Sequence, residues 1–481
     1  MAEAALSATE TALENQRIGG LQIRVAALCT LIQICDGYDI NAVSWAVPSL
    51  THVWSLKGPA FTTAFLWSSI GILVGALCAG PIGDRVGRKP LLLASVTIFG
   101  LASLLSALAD SAAMLSISAP VSGLVLNLLQ TLLQPFGVGI GAPPPEVASL
   151  SVLRFFTGLG IGGAFPGAAT LTGDYAPHRL RATMIMASFT GAPIGGFVGG
   201  QIVAALLPHF GWPVIFVLGG MFPLVLLPVL ALWLPESPRF LASKANLSPR
   251  QSALLKRLDI TAGRIEAHPV DVALENPVKM LFGKGYALQT ILLWVIFFCS
   301  LMNLFLFGYW MPEVLHLIGM TPAGAIFASS LRDLGAIFAV IYLGFLIDRV
   351  GPERSLAFHY AIGAVFIAVI SLAVLPYAIL LAVIFFCGMT IIGSQTGANA
   401  TCGKLYPARM RTSGLGWALG IGRLGGIAAP VLGGWLLRIG LPPTQIFLSA
   451  CGFALIAAAA TGLLAFRGVR GEILAVQEAA Q

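Results

Sequence analysis

Apolar runs of about 20 residues, each long enough to cross the ~30 Å hydrocarbon layer as a helix, recur from Leu21 to Phe466 with short polar punctuation between them. They predict spans near residues 22–48, 61–83, 90–109, 148–171, 182–206 and 212–234, then 287–311, 322–347, 355–375, 377–402, 413–437 and 444–466. A polar stretch from Pro235 to Gly285 separates six spans from six. The runs do not alternate apolar with polar positions, which excludes a membrane β-barrel. The expected fold class is an all-α polytopic membrane protein with 12 transmembrane helices, divided as tail 1–21, bundle 22–234, central loop 235–286, bundle 287–466 and tail 467–481.

Composition agrees with a membrane chain. Of 481 residues 57% are hydrophobic and 10% charged, where a soluble domain carries about 25% charged residues. The net charge of +7 does not imply nucleic acid, because the basic residues sit in short loops and not in one patch. The seven cysteines lie almost wholly inside apolar segments without metal-ligand spacing, which makes them small buried hydrophobes. No metal site or cofactor is expected. The first twenty residues lack the basic start of a cleavable signal, so the first span should itself direct insertion.

Loop charge fixes the expected topology. With the N-terminus inside, Arg85, Arg88, Lys89, Arg179, Arg181, Arg349, Arg354, Lys404, Arg409, Arg411, Arg467 and Arg470 all fall on the cytoplasmic side, and the outside keeps Lys57 and Arg438. One missed or added span would scramble that asymmetry. Both termini are therefore expected in the cytoplasm, with the protein in a bacterial inner membrane.

The halves also repeat each other. Gly83-Asp84-Arg85-Val86-Gly87 returns as Ile347-Asp348-Arg349-Val350-Gly351, and Tyr175-Ala176-Pro177-His178-Arg179 returns around Tyr406-Pro407-Ala408-Arg409. Arg85 and Arg349 stand 264 positions apart, Arg179 and Arg409 only 230, so the first half carries 34 extra residues between spans three and four. They fall within 111–146. There the apolar run Val121–Gln134 is too short to cross and gathers Asn127, Gln130, Thr131 and Gln134 on one face, which predicts an interfacial or re-entrant helix on the outer side. A loosely ordered lid is the alternative.

Ionisable residues inside spans are the strongest functional pointers, since one at mid-bilayer costs about 2.5–3.5 kcal/mol on insertion scales. Span one carries Asp36-Gly37-Tyr38-Asp39, with two carboxylates at i and i+3 on one helix face. Mutual repulsion and burial disfavour charging both, which suits them to carrying protons. The structural alternative pairs each with a basic neighbour merely to hold helices together. Arg154 in span four, Arg332 beside Asp333 in span eight, and Arg423 in span eleven are the intramembrane cations. Guanidinium grips a carboxylate with two parallel hydrogen bonds, so Arg154 and Arg423 are candidates for an anionic substrate or for coupling, and Arg332 with Asp333 for a structural or gating pair. Tyr38, Tyr309 and Trp417 are the aromatic side chains placed near these charges; most other aromatics, Trp45, Phe305 and Trp310 included, are read as packing or interface residues.

The loop after span two reads Gly80-Pro81-Ile82-Gly83-Asp84-Arg85-Val86-Gly87-Arg88-Lys89. This pattern, its degenerate copy at 344–351 and the six-plus-six layout resemble the major facilitator superfamily over nearly the whole chain. The resemblance implies two pseudo-symmetric six-helix bundles working by alternating access. It assigns Gly80, Asp84, Arg85, Gly87 and Arg88 to a cytoplasmic gate, with Asp174, Asp348 and Arg349 as further gating positions; Asp174 stands where many members carry Glu. Within the superfamily, Asp36-Gly37-Tyr38-Asp39, Arg154 before Gly158-Leu159-Gly160-Ile161-Gly162, and Gly416-Trp417-Ala418-Leu419-Gly420-Ile421-Gly422-Arg423 resemble the aromatic acid:proton symporters. Sugar porters share Pro235-Glu236-Ser237-Pro238-Arg239, but the glutamine-rich pattern expected of them in span seven is absent.

The resemblance thus implies proton-coupled uptake of a small aromatic carboxylic acid such as a hydroxybenzoate. Asp36 and Asp39 would couple the protons, and Arg154, Arg423, Tyr38, Tyr309 and Trp417 would bind substrate. Its partners would be the acid, protons and membrane lipid, with no nucleic acid, and the protein a monomer. The alternatives are a carrier of another organic acid or a sugar, and a non-transporting sensor. An enzyme is not indicated: no nucleophile with its base and no phosphate-binding loop is present.

Overall fold

A computed structural model of the chain describes residues 19–118, 120, 143–177, 180–242, 248–258, 281–283, 286–372, 375–406 and 408–479. The described residues form helices joined by short connections. Span one is Gly20–Val53, followed by a 3-10 turn at Gly58–Phe61, span two Thr62–Val86, span three Arg88–Ser106 and span four Pro145–Tyr175. Span five comes in two pieces, Arg181–Phe189 and Gly191–Phe210, and span six is Pro213–Trp233. Short helices Pro238–Ala242 and Pro249–Arg257 follow; spans seven to twelve are Ala287–Leu317, Pro322–Val350, Pro352–Leu372, Tyr377–Leu405, Ala408–Arg438 and Ile446–Ala479.

Eleven of these helices are long and apolar enough to cross a membrane on those properties. Span one brings the number of membrane helices to twelve. It carries Arg24, Asp36 and Asp39 within its length, a polar load that a helix accepts when packing hides it from lipid. Several helices outrun their apolar cores, span one passing Pro48 to Val53 and span eleven beginning at Ala408, because polar flanks keep the backbone hydrogen-bonded beyond the hydrocarbon. The segment 121–134, expected to form an interfacial helix, lies outside the described residues.

Helix pairing repeats between the halves. In the first, glycines let the backbone of span one meet span five: a methyl on Gly37 would overlap Ala192, and one on Gly195 would overlap Ile34. Gly158 and Gly162 lie in the same way on Ser68 and Ile72, joining spans two and four, and span three packs on span six. The second half pairs seven with eleven, eight with ten and nine with twelve. There Gly425 lies on Phe298, and Gly388 lies on Arg332. Small residues at these crossings permit the close approach from which packing in lipid draws its energy.

The described chain clusters into two compact units. One is drawn from 1–42, 67–196 and 210–273; the other joins 43–66 and 197–209 to 274–481. The second unit therefore holds the end of span one, the start of span two and the end of span five, besides the second-half helices.

Candidate functional site

The first unit buries an ion pair in its interior. Asp36 and Asp39 are on the inward face of span one, with 0% and 2% exposure. Arg154 Nη1 lies 3.4 Å from Asp39 Oδ1, and neither side chain reaches solvent. Ser103 Oγ donates to the same oxygen at 2.6 Å, and Arg154 Nη2 donates to Ser106 Oγ at 2.9 Å. The arginine's carbon centre stands 5.0 Å from the centre of the Phe216 ring, whose face attracts a cation. Gly219, one turn along span six, leaves the space: a methyl there would sit 2.7 Å from Ser103 Oγ and 3.0 Å from Asp39 Oδ1.

Around that pair several groups are left without partners. Asp39 Oδ2, Arg154 Nε and both carboxyl oxygens of Asp36 have no hydrogen-bond partner among the described residues. Tyr38, the aromatic candidate between them, donates its hydroxyl to the Ile215 carbonyl at 2.8 Å. Burying a charged carboxylate without partners is expensive, whereas the neutral acid is accommodated. Asp36 is thus free of any structural pairing role, and Asp39 has one.

In the second unit, Arg332 holds Asp333 beside it, Nη2 to Oδ1 at 2.8 Å and Nε to Oδ1 at 3.1 Å. Arg423 differs. It is half-buried in span eleven, within electrostatic reach of Tyr309, and takes part in no ion pair among the described residues. Tyr309 is buried and packs its ring between Phe65 and Phe305, at centroid distances of 4.7 and 5.4 Å. Trp417 is 43% exposed and stacks on Trp294 at 6.0 Å.

A second polar cluster sits where spans two and four end and span three begins. Gly87 has φ 111°, which favours glycine, and Glu236 occupies the space where its Cβ would project. Glu236 Oε1 accepts the backbone N–H of Arg88 at 2.7 Å, of Lys89 at 3.1 Å and of Ser237 at 2.8 Å, so it caps the start of span three. Tyr175 donates its hydroxyl to the Glu236 carbonyl at 2.6 Å. Ser237 Oγ donates to Asp174 Oδ2 at 2.6 Å, with Arg239 Nε 3.7 Å from the other carboxylate oxygen. Arg88 also pairs with Asp84 one turn earlier. Arg85 and Gly80 are exposed, with open space around Gly80, and Arg349 is exposed at the end of span eight. The side chain of Asp348 lies outside the described part.

The sequence profile of the Major Facilitator Superfamily matches residues 29–430 and, in a second alignment, 293–473. The chain belongs to that superfamily. Among its relatives, a gallate transporter of Pseudomonas putida is 33% identical over 438 residues, covering 90% of each chain. The 4-hydroxybenzoate transporter PcaK of Pseudomonas aeruginosa is 30% identical over 468 residues, 95% of each. The inward-open structure of the xylose transporter XylE from E. coli shares the fold, with a TM-score of 0.65, 16% identity and coverage of 92% of this chain and 95% of that one. These relatives place the chain in the superfamily's aromatic acid transporters, an integral membrane protein and not an enzyme.

Of the residues singled out from the sequence, Asp39 and Arg154 meet directly, with Asp36 one turn away on the same helix face; Tyr309 is within electrostatic reach of Arg423. Asp84 and Arg88 form one pair, and Asp174 joins Ser237 and Arg239 instead. The structure adds Ser103, Ser106, Phe216, Gly219 and Glu236, which the linear pattern did not mark. Ser103 and Ser106 offered a faint signal as hydroxyls at i and i+3 inside an apolar span. Phe216 and Gly219 offered none, since both are ordinary residues of a membrane helix.

Proposed function

We propose that the protein carries a small aromatic carboxylic acid inward together with protons, by alternating access. The observation that carries this reading is the contrast between two membrane arginines. Arg154 is already held by Asp39, whereas Arg423 lies half-buried without an anionic partner among the described residues. A guanidinium in that setting suits a carboxylate gripped by two parallel hydrogen bonds, and the ring of Tyr309, within electrostatic reach of it, suits an aromatic body. The names of the two bacterial relatives point to the same substrate class.

Proton coupling rests on span one. Asp36 has no structural partner, so it is available to take up and release a proton. A proton reaching Asp39 would cancel the charge that holds Arg154 and loosen spans one, three and four from one another. In this reading both termini face the cytoplasm of a bacterial inner membrane, and the Glu236–Asp174 cluster braces the cytoplasmic ends of the spans.

The test is uptake of radiolabelled 4-hydroxybenzoate and gallate by the purified protein in liposomes, with and without an inward proton gradient. Gradient-driven accumulation that disappears in Asp36→Asn supports the reading. Accumulation independent of the gradient would remove proton coupling, and uptake of hexoses or dicarboxylates in preference would replace the substrate class.

A further inference from the structure

Glu313 is a buried acid that the site above does not use. It lies one turn before the end of span seven with 1% of its surface exposed. Its Oε2 has no hydrogen-bond partner, and it belongs to no ion pair among the described residues. Tyr309, Glu313 and His316 follow at i, i+4 and i+7, so they share one helix face. Each touches a different part of the first half, all within one compact unit. Tyr309 stacks on Phe65 at the start of span two, at 4.7 Å and 21°. Glu313 presses on Gly58, where a methyl would sit 2.5 Å from Oε1. His316 meets His52 at the end of span one, Nε2 to Nε2 at 2.9 Å. This face is a shut seam, and the carboxyl lies in its middle.

We propose that Glu313 is a second proton-binding group of the transport cycle, whose neutral form is required for this seam to close. The histidine contact is made within the histidine pair and not to the carboxyl: His316 Nδ1 lies 2.7 Å from the Met320 carbonyl oxygen and its Nε2 lies 2.9 Å from His52 Nε2. Other titratable groups on elements that pack against span seven are His52, Lys57 in the loop before Gly58, Arg423 and Arg438 on span eleven and Tyr377 at the start of span ten. Arg332 and Asp333 on span eight are bonded to each other. Deprotonation within the closed seam would strand a charge among Gly58 and the rings of span seven, so the charged form favours the parted seam. Under the proposed topology the seam faces the outside. Opening outward would then expose Glu313 to the medium, where it takes a proton, and closure would carry that proton inward.

This proposal rests on the transport reading but is tested without transport. Val53 and Ile439, both exposed and on the same side of the bilayer under the proposed topology, are replaced by cysteines in a background otherwise free of reactive cysteine and spin-labelled. The distance between the labels is measured by pulsed electron resonance in liposomes between about pH 5 and about pH 8, which spans the range of carboxyl and imidazole groups. The expected result is a short separation at acid pH giving way to a longer one as pH rises. Glu313→Gln should stay short throughout, and Glu313→Asp should recover the response. A wild-type protein with no pH response, or a Glu313→Gln variant that responds like the wild type, would overturn the proposal. So would parting of the seam at acid pH, which assigns the sensitivity to repulsion between protonated His52 and His316. Loss of uptake in Asp36→Asn with the Glu313 response intact would separate the two ideas.

Discussion

Arg154 and Asp39 stand 115 positions apart in the chain, yet their side chains meet at 3.4 Å in the fully buried interior of the first-half helices. The contact joins span four to span one, and Ser103 and Ser106 tie it to span three. A pair so enclosed is weak evidence of stability in itself, because desolvating two charges offsets much of their attraction. Its consequence lies in what happens when one partner changes.

Arg154→Gln leaves Asp39 as an unpaired buried carboxylate and should lower stability by about 3–5 kcal/mol. Asp39→Asn strands the arginine to similar effect. The double variant Asp39→Asn/Arg154→Gln should recover a substantial part of that loss. Thermal unfolding of the detergent-purified proteins checks all three, and strictly additive losses would show that the pair is not energetically coupled.

Asp36→Asn should behave differently, since no partner is lost. Unfolding temperature and substrate exchange between preloaded vesicles should stay near wild type, while accumulation driven by a proton gradient disappears. An equal loss of exchange and accumulation would give Asp36 a role in binding.

Arg423→Gln should weaken binding of a hydroxybenzoate by about ten- to a hundredfold, the worth of a charge-assisted hydrogen bond of about 1.5–3 kcal/mol. Arg423→Lys should not restore it, because a lysine cannot form the two-pronged contact. Binding calorimetry on the purified variants measures this, and full affinity in Arg423→Gln would move the carboxylate site elsewhere.

Glu236→Gln should cost about 1 kcal/mol or more of stability, since the carboxylate accepts two backbone N–H groups at the start of span three. Gly87→Ala should cost more, combining a backbone at φ 111° with a collision against that same carboxylate. Circular dichroism melts compare them, and an unaffected Gly87→Ala would deny the cap its structural role.

Gly37→Ala should fail to give a monodisperse protein, because its methyl would overlap the Ala192 backbone. Gly80→Ala, with nothing within 4 Å, should leave stability unchanged. Size-exclusion profiles of the two separate packing glycines from tolerant ones.

Hydrophobic run length determined the number of spans directly, because a bilayer demands about twenty apolar residues per crossing and satisfies backbone polarity only within a helix. The copies of the Gly83–Gly87 motif likewise announced the repeat that appears as matching helix pairs, one with five and seven with eleven. Asp36, Asp39, Arg154 and Arg423 were legible too, since an ionisable residue inside an apolar run is conspicuous against its cost. What the chain could not display was orientation about each helix axis, as nearly every residue of a membrane span is apolar and the period carries little contrast. Only the folded molecule decided that Arg154 faces Asp39 while Arg423 does not face an acid, that Phe216 and Gly219 frame the pair, and that Glu236 caps span three. The same holds for Glu313: in sequence it sits near the polar end of a span, and only packing against Gly58 and the Phe65–Tyr309 stack makes it a buried, unpaired acid.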